Sequence, residues 1–275
     1  MVSLRFVSIL QMSRSTAFQI ALTGFLGASL SVVLAVLLAQ ISYVTPGDVV
    51  QSLRAAEVRR AIGLTFLCAT AASCIALMFA IPTGYFLARV RFPGCTVVDT
   101  LLDVPALLSP VAVGLSLVLV LRSSLGRWVE QHVIGFLFEV PGIILAQFVL
   151  AMALQLRVLK SGFESIDPTV EQVARTLGLG PWAVFRRITL PMARPAVLAA
   201  FVLGWCRAAG DFGATAMVAG AIPRKTETIP IAIYLNLASV QIERAVVLAL
   251  VLTVSAVIGL VVVRYATGGI GHDRS

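Results

Sequence analysis

Arg207 and Asp211 stand four residues apart in an apolar stretch, so on a helix they share one face and can pair. Ionisable side chains are costly in such a setting and face a partner or a cavity. Two readings of the pair stay open: an ion pair that holds the fold, or a gate beside a path, loosened by Gly210 and Gly213. Other chemistry is scarce. The only lysines, Lys160 and Lys225, complete no Gly-x-x-x-x-Gly-Lys pattern, so the chain has no phosphate-cradling loop with which to hydrolyse ATP. His132 and His272 lack metal-ligand spacing, and Cys68, Cys74, Cys95 and Cys206 form no Cys-x-x-Cys pair. No Ser or Cys sits in a nucleophile motif. The expectation is a chain that is not an enzyme and holds neither metal nor cofactor.

The elements that position these residues must lie in a membrane. Of 275 residues, 59% are hydrophobic and 12% charged, with a mean hydropathy of +0.98. Soluble domains run at about 45–50% apolar and about 25% charged. That comparison excludes a soluble enzyme, a disulfide scaffold and a disordered chain. The net charge of +8 comes without a basic run interleaved with aromatics, so nucleic acid is not the expected partner. Basic residues instead gather in loops that orient membrane spans.

A span needs about 20 mostly apolar residues, and six stretches qualify: 17–42, 60–88, 97–121, 134–157, 196–219 and 243–265. They read as helices, because a spanning barrel would alternate in ten-residue strands. The first, preceded by Arg5 and Arg14, is too long for a signal sequence and reads as a retained helix. One membrane domain over 1–275 follows, with its core at 60–265. Both termini are expected in the cytoplasm, because the segment 158–195, with Arg175, Arg186, Arg187 and Arg194, dominates the charge bias. Segments 43–59 and 220–242 read as external loops. Arg224 and Lys225 there read as solvated charge, with attraction of a dianion or an acidic surface as the alternative. Pro82, Pro105 and Pro110 mark kinks, or helices that line a path.

Segment 158–195 is the most polar of its length. Asp167-Pro168 is a helix start, and Gly178 a left-handed stop. Between them Val170, Val173, Ala174 and Leu177 form one apolar face. Gly180-Pro181 opens a second helix, Trp182 to Ile188, with Pro191 as its end. Periodicity alone would also fit two helices lying in the lipid interface.

The spacing resembles the cytoplasmic docking loop of the membrane subunits of ATP-binding-cassette importers. That loop has the form Glu-Ala-Ala, three residues, Gly, nine residues, Ile, one residue, Leu-Pro. Here Gln172-Val173-Ala174, Gly178, Ile188 and Leu190-Pro191 stand in that register, with Glu171 beside the departing Gln172 and Arg175 between triplet and glycine. The resemblance implies that this loop docks on an ATPase subunit and transmits its closure. Further stretches resemble molybdate-type permeases: Gly210-Asp211-Phe212-Gly213-Ala214-Thr215, then Ala219-Gly220, Ile222-Pro223 and Thr226 through Tyr234. Leu108 through Gly114 and Ala146-Gln147 fit as well. Departures are Asp211 for Glu, Ala221 for Asn, Arg224 for Gly and Ser109 for Pro.

The resemblance implies an all-α, six-span type I importer permease in a bacterial or archaeal inner membrane. Its expected partners are a second copy, a P-loop ATPase dimer that binds ATP and Mg, an external oxyanion-binding protein and membrane lipid. The expected substrate is molybdate, with sulfate or tungstate as alternatives in the same family. An ATP-independent transporter or channel, and a membrane scaffold, are the alternatives outside it. In the path, Phe212 is the candidate plug and Thr215 the candidate hydroxyl donor, within the segment Arg207 to Thr215.

Overall fold

The computed structural model describes residues 2–268, with side chains from 18 to 265. His272 and Arg274 fall outside the described residues, as do the side chains of Arg5 and Arg14. Among the described residues the regular structure is helical throughout. α1 (Val2–Ser42) is joined to the last helix, α14 (Ile242–Gly268), through Thr253 Oγ1, which donates to Gln40 Oε1 at 3.2 Å. Between them run α2 (Pro46–Arg54), α3 (Ala56–Arg89), α4 (Cys95–Leu107), α5 (Pro110–Arg122), α6 (Ser124–His132) and α7 (Val140–Glu164).

The core sits where α7 packs along α3 and α11 (Arg194–Ala209). The contact face of α3 is a ladder of small residues, Ala61, Ala69, Ala72, Ala76 and Ala80, all buried. Small residues let membrane helices approach closely, which matters because lipid supplies no hydrophobic drive between them. α7 answers with Ile143, Leu150, Leu156, Leu159 and Phe163, also buried.

Four of the six expected spans are single long helices, with α1, α3, α7 and α14 carrying them. α7 begins at Val140, later than the expected 134, with Pro141 in its first turn, and it runs on to Glu164. The expected span 97–121 is a broken pair, α4 and α5 meeting at 111°. Pro110 disfavours a helical conformation in the residue before it. Ser109 accordingly sits at φ −58° and ψ 136°, and Leu108 is extended too. Pro105, by contrast, stays inside α4.

The expected span 196–219 also breaks. α11 ends at Ala209 and α12 (Gly213–Ala219) follows after three residues. The two expected external loops are partly helical. α2 starts on a capping box in which Thr45 and Asp48 bond each other's backbone, and α13 (Ile229–Ala238) starts after Thr228. Both are too short to show as spans in an apolar count.

Candidate functional site

The polar loop folds as two helical pieces keyed into the bundle. Asp167 Oδ1 accepts from the Thr169 N–H at 2.8 Å and caps α8 (Pro168–Thr176), with Pro168 in the first turn. The Thr169 backbone N–H, and then its hydroxyl, hold the Asp167 carboxyl below its usual range. The cap is therefore present at neutral pH and fades as acid titrates the carboxylate through its lowered folded-state pKa. α8 stops where Gly178 takes φ +88°, with its N–H bonded to Arg175 O at 3.0 Å. A Cβ there would meet nothing within 4 Å, so the backbone and not space selects glycine.

The second piece is longer than expected. α9 (Pro181–Val184) runs through a π-helical turn (Phe185–Thr189) into α10 (Leu190–Met192). Pro191 therefore does not end it. The break comes at Ala193, where Pro181–Met192 meets α11 at 70°.

Glu171 is the keystone of the seating. Its side chain is 6% exposed and points into the bundle, away from the docking face. Arg89 Nε lies 2.9 Å from Oε1, the Thr189 hydroxyl donates to Oε1 at 3.0 Å, and the Tyr85 hydroxyl donates to Oε2 at 3.1 Å. Arg89 Nη2 also donates to Ile166 O at 3.0 Å. A buried carboxylate needs this many partners, because an unpaired charge there is severely penalised. One network thus ties the end of α3, the start of α8 and the π turn together. The Tyr85 ring packs tilted against Phe185 at 4.7 Å and edge-on against Phe163 at 5.6 Å.

With Glu171 and Ala174 turned inward, the opposite side of α8 is open. Leu177 is 79% exposed and Trp182 71%, with Val170 and Val173 also exposed beside them. Of the expected apolar face only Ala174 packs inward. Gln172, Arg175 and Gly178 are exposed, Ile188 and Pro191 are half-buried, and Leu190 packs on the core. Exposed apolar surface on a polar loop is a candidate binding face.

Gly178→Val should leave the chain inserted but weaken whatever docks on this face. A left-handed backbone costs a residue with a Cβ about 1–2 kcal/mol, which is about five- to thirtyfold in a docking constant if the turn yields instead. Co-purification of the ATPase subunit that the loop's resemblance implies, with wild type and variant side by side, checks this.

The second cluster lies at the break between α11 and α12. Asp211 is buried, and its Oδ2 accepts from the Thr215 N–H at 2.8 Å and from the Thr215 hydroxyl at 2.9 Å. It caps α12. Arg207 Nη1 stands 3.7 Å from Oδ1, which makes no hydrogen bond, so the charge pair is loose. The Thr215 hydroxyl is thus committed to Asp211 and is fully buried, contrary to the expectation that it is open to a path. Phe212 remains partly exposed, 5.3 Å from the Tyr234 ring.

α12 lies hard against α5. A Cβ on Gly213 would come within 3.0 Å of the Val111 N, and one on Gly114 within 2.8 Å of Ala214 Cα. Gly213 and Ala214 are buried in this contact, whereas a Cβ on Gly210 would meet the backbone oxygen of Cys206 at 3.3 Å. The docking residues and the path residues form two separate clusters, at opposite ends of α11.

Arg89, Tyr85, Thr189, Gly114 and Tyr234 were not expected at either site. Arg89 closes an apolar span and reads as an ordinary membrane-edge cation. Nothing in its spacing points to Glu171, 82 residues later.

Residues 76–268 match the family model described as the binding-protein-dependent transport system inner membrane component. The molybdenum transport system permease protein ModB of Escherichia coli K12 is 39% identical over 169 residues, covering 59% of this chain and 74% of ModB. The sulfate transport system permease protein CysW of Synechocystis is 33% identical over 228 residues, covering 82% and 83%. Among solved structures, a chain of a bacterial alginate ABC transporter superposes with a TM-score of 0.61 at 20% identity, covering 82% of this chain and 83% of that one. That likeness concerns the fold.

Proposed function

The chain belongs to the binding-protein-dependent inner membrane components, the permease subunits of ABC importers, and from that premise we propose that it forms, with a second copy of itself, the membrane path of a tetrahedral oxyanion, molybdate first. It is a multi-pass membrane protein with the type I permease fold. Both termini face the cytoplasm in this reading. Two P-loop ATPase chains bind ATP and Mg beneath the loop 158–195, and an external binding protein delivers the anion. Sulfate is the second reading, favoured by the wider coverage of the sulfate permease relative.

The observation that carries the proposal is the seating of the loop. Its apolar ridge, Val173, Leu177 and Trp182, is exposed for a partner, while Glu171 locks its back to Arg89 at the end of α3. A push on the ridge is therefore delivered to α3 and, through Ala193, to α11, without being absorbed by a slack loop. Because interfaces and packed cores are bistable, such a push selects between discrete arrangements.

At the far end of α11 the segment Gly210–Phe212 is where the motion would act. Phe212, partly exposed and packed at a tilt against the Tyr234 ring, serves as the plug. A strongly hydrated dianion requires weak contacts for release, so the path uses small residues and backbone donors and leaves selection to the binding protein.

Four long spans, and at most two more made of bent helix pairs, are few to enclose a path, which calls for a two-fold dimer. Native mass measurement of the detergent-solubilised complex should give two copies of this chain with two ATPase chains. A functional monomer, or a second and different permease chain in the complex, would contradict this.

A further inference from the structure

A groove of about 570 Å³ opens between α3 and α11 on the side of the bundle where the docking loop lies. Its floor is apolar, from Leu77 and Ile81 on α3 and Val197 and Phe201 on α11. Its rim carries Arg186 and Arg194, both exposed and neither paired with a carboxylate among the described residues. The volume lies within the range of about 300–1,000 Å³ of small-molecule sites.

Depth decides what chemistry reaches it. α3 has 34 residues, about 51 Å at 1.5 Å per residue, against a hydrocarbon layer about 30 Å thick. If α3 is centred on that layer, Ile81 lies about 13 Å from the middle, just inside the apolar edge. The two guanidinium groups then stand at the level of the lipid phosphates. Guanidinium forks suit phosphate oxygens, and arginine stems lie along apolar surface while their heads reach the interface.

We infer that this groove binds an anionic phospholipid, with an acyl chain along the floor and the phosphate between Arg186 and Arg194. Basic pockets between spans at the cytoplasmic leaflet favour such headgroups. Glu171, the buried carboxylate of the loop, does not compete, because it is already held by Arg89, Tyr85 and Thr189. Because the groove spans the elbow at Ala193 between α10 and α11, a bound lipid braces the loop against α11. The inference rests on membrane residence and the loop's cytoplasmic side, and not on which anion is carried.

Native mass spectrometry of the full chain in detergent tests it, with phosphatidylglycerol and phosphatidylcholine of identical acyl chains as probes. The expected result is at least tenfold tighter retention of phosphatidylglycerol, undiminished by millimolar inorganic phosphate. The preference should vanish in Arg186→Gln/Arg194→Gln, persist in Arg186→Lys/Arg194→Lys, and persist in the distant control Arg122→Gln. Val197→Trp, which keeps both arginines and fills the floor, should lose retention of both lipids. No preference in the wild-type chain overturns the proposal whatever the variants do. So does displacement by inorganic phosphate, which marks a free-anion site. A double Gln variant that keeps its lipid but changes the mass of the protein assembly would assign the arginines to a protein partner instead.

Discussion

Arg89→Ala should abolish coupled uptake while the bundle still inserts in the membrane. The substitution leaves Glu171, 6% exposed, with only the Tyr85 and Thr189 hydroxyls and removes the donor to Ile166 O. Breaking one side of a buried ion pair costs about 3–5 kcal/mol. The loop can escape that cost by lifting Glu171 into water, which unseats α8. If the whole cost falls on seating, the seated loop drops by a factor of about a hundred or more. Uptake should fall accordingly, and limited proteolysis should begin to cut within 158–195. Replacing both partners by apolar residues, Arg89→Leu with Glu171→Met, should recover much of the seating, because a buried pair and a packed apolar pair are often close in stability. Uptake within threefold of wild type in Arg89→Ala would show that the loop is held elsewhere.

The second large effect is expected at Asp211, where alanine and asparagine should part company. Asp211→Ala strips the Thr215 N–H and hydroxyl of the carboxylate that accepts from both inside a buried site. Each such loss costs about 1–3 kcal/mol, which is enough to loosen a helix of seven residues, Gly213–Ala219. With α12 loosened, Phe212 loses its support and anion should leak through without ATP. Asp211→Asn keeps an acceptor oxygen for both bonds and gives up only the charge. Arg207 stands 3.7 Å away, beyond hydrogen-bond reach, and is one-third exposed, so losing this loose pair should cost less than losing the two bonds to Thr215. Asparagine should therefore behave nearly as wild type in an anion-efflux assay. Equal leaks from the two variants would mean that the pair, and not the cap, holds the break.

The same contrast explains what could be read from the sequence. Helix signals that depend on one or two local residues were legible: the Asp167-Pro168 start, the Gly178 stop and the apolar runs of α3, α7 and α14. So was the pairing of Arg207 with Asp211, which needs only a spacing of four. Breaks inside apolar runs were not. Hydropathy at 97–121 and 196–219 continues across Ser109 and Gly210, so a count of apolar residues joins helices that the backbone separates. The inward turn of Glu171 was hidden for another reason. Its apolar neighbours Val170, Val173 and Leu177 suggest that their own face packs inward, whereas in the fold a charged residue is buried and the apolar face is left open. The distant Arg89, with the Tyr85 and Thr189 hydroxyls, makes that inversion stable.

The most direct test of the account is uptake of labelled molybdate and sulfate into proteoliposomes holding this chain with its ATPase partner, with molybdate- and sulfate-binding proteins supplied in turn. The account predicts uptake that requires both ATP and a binding protein, with the preferred anion switching when the binding protein is switched. Uptake without ATP hydrolysis, or an anion preference that stays with this chain after the exchange, would contradict it.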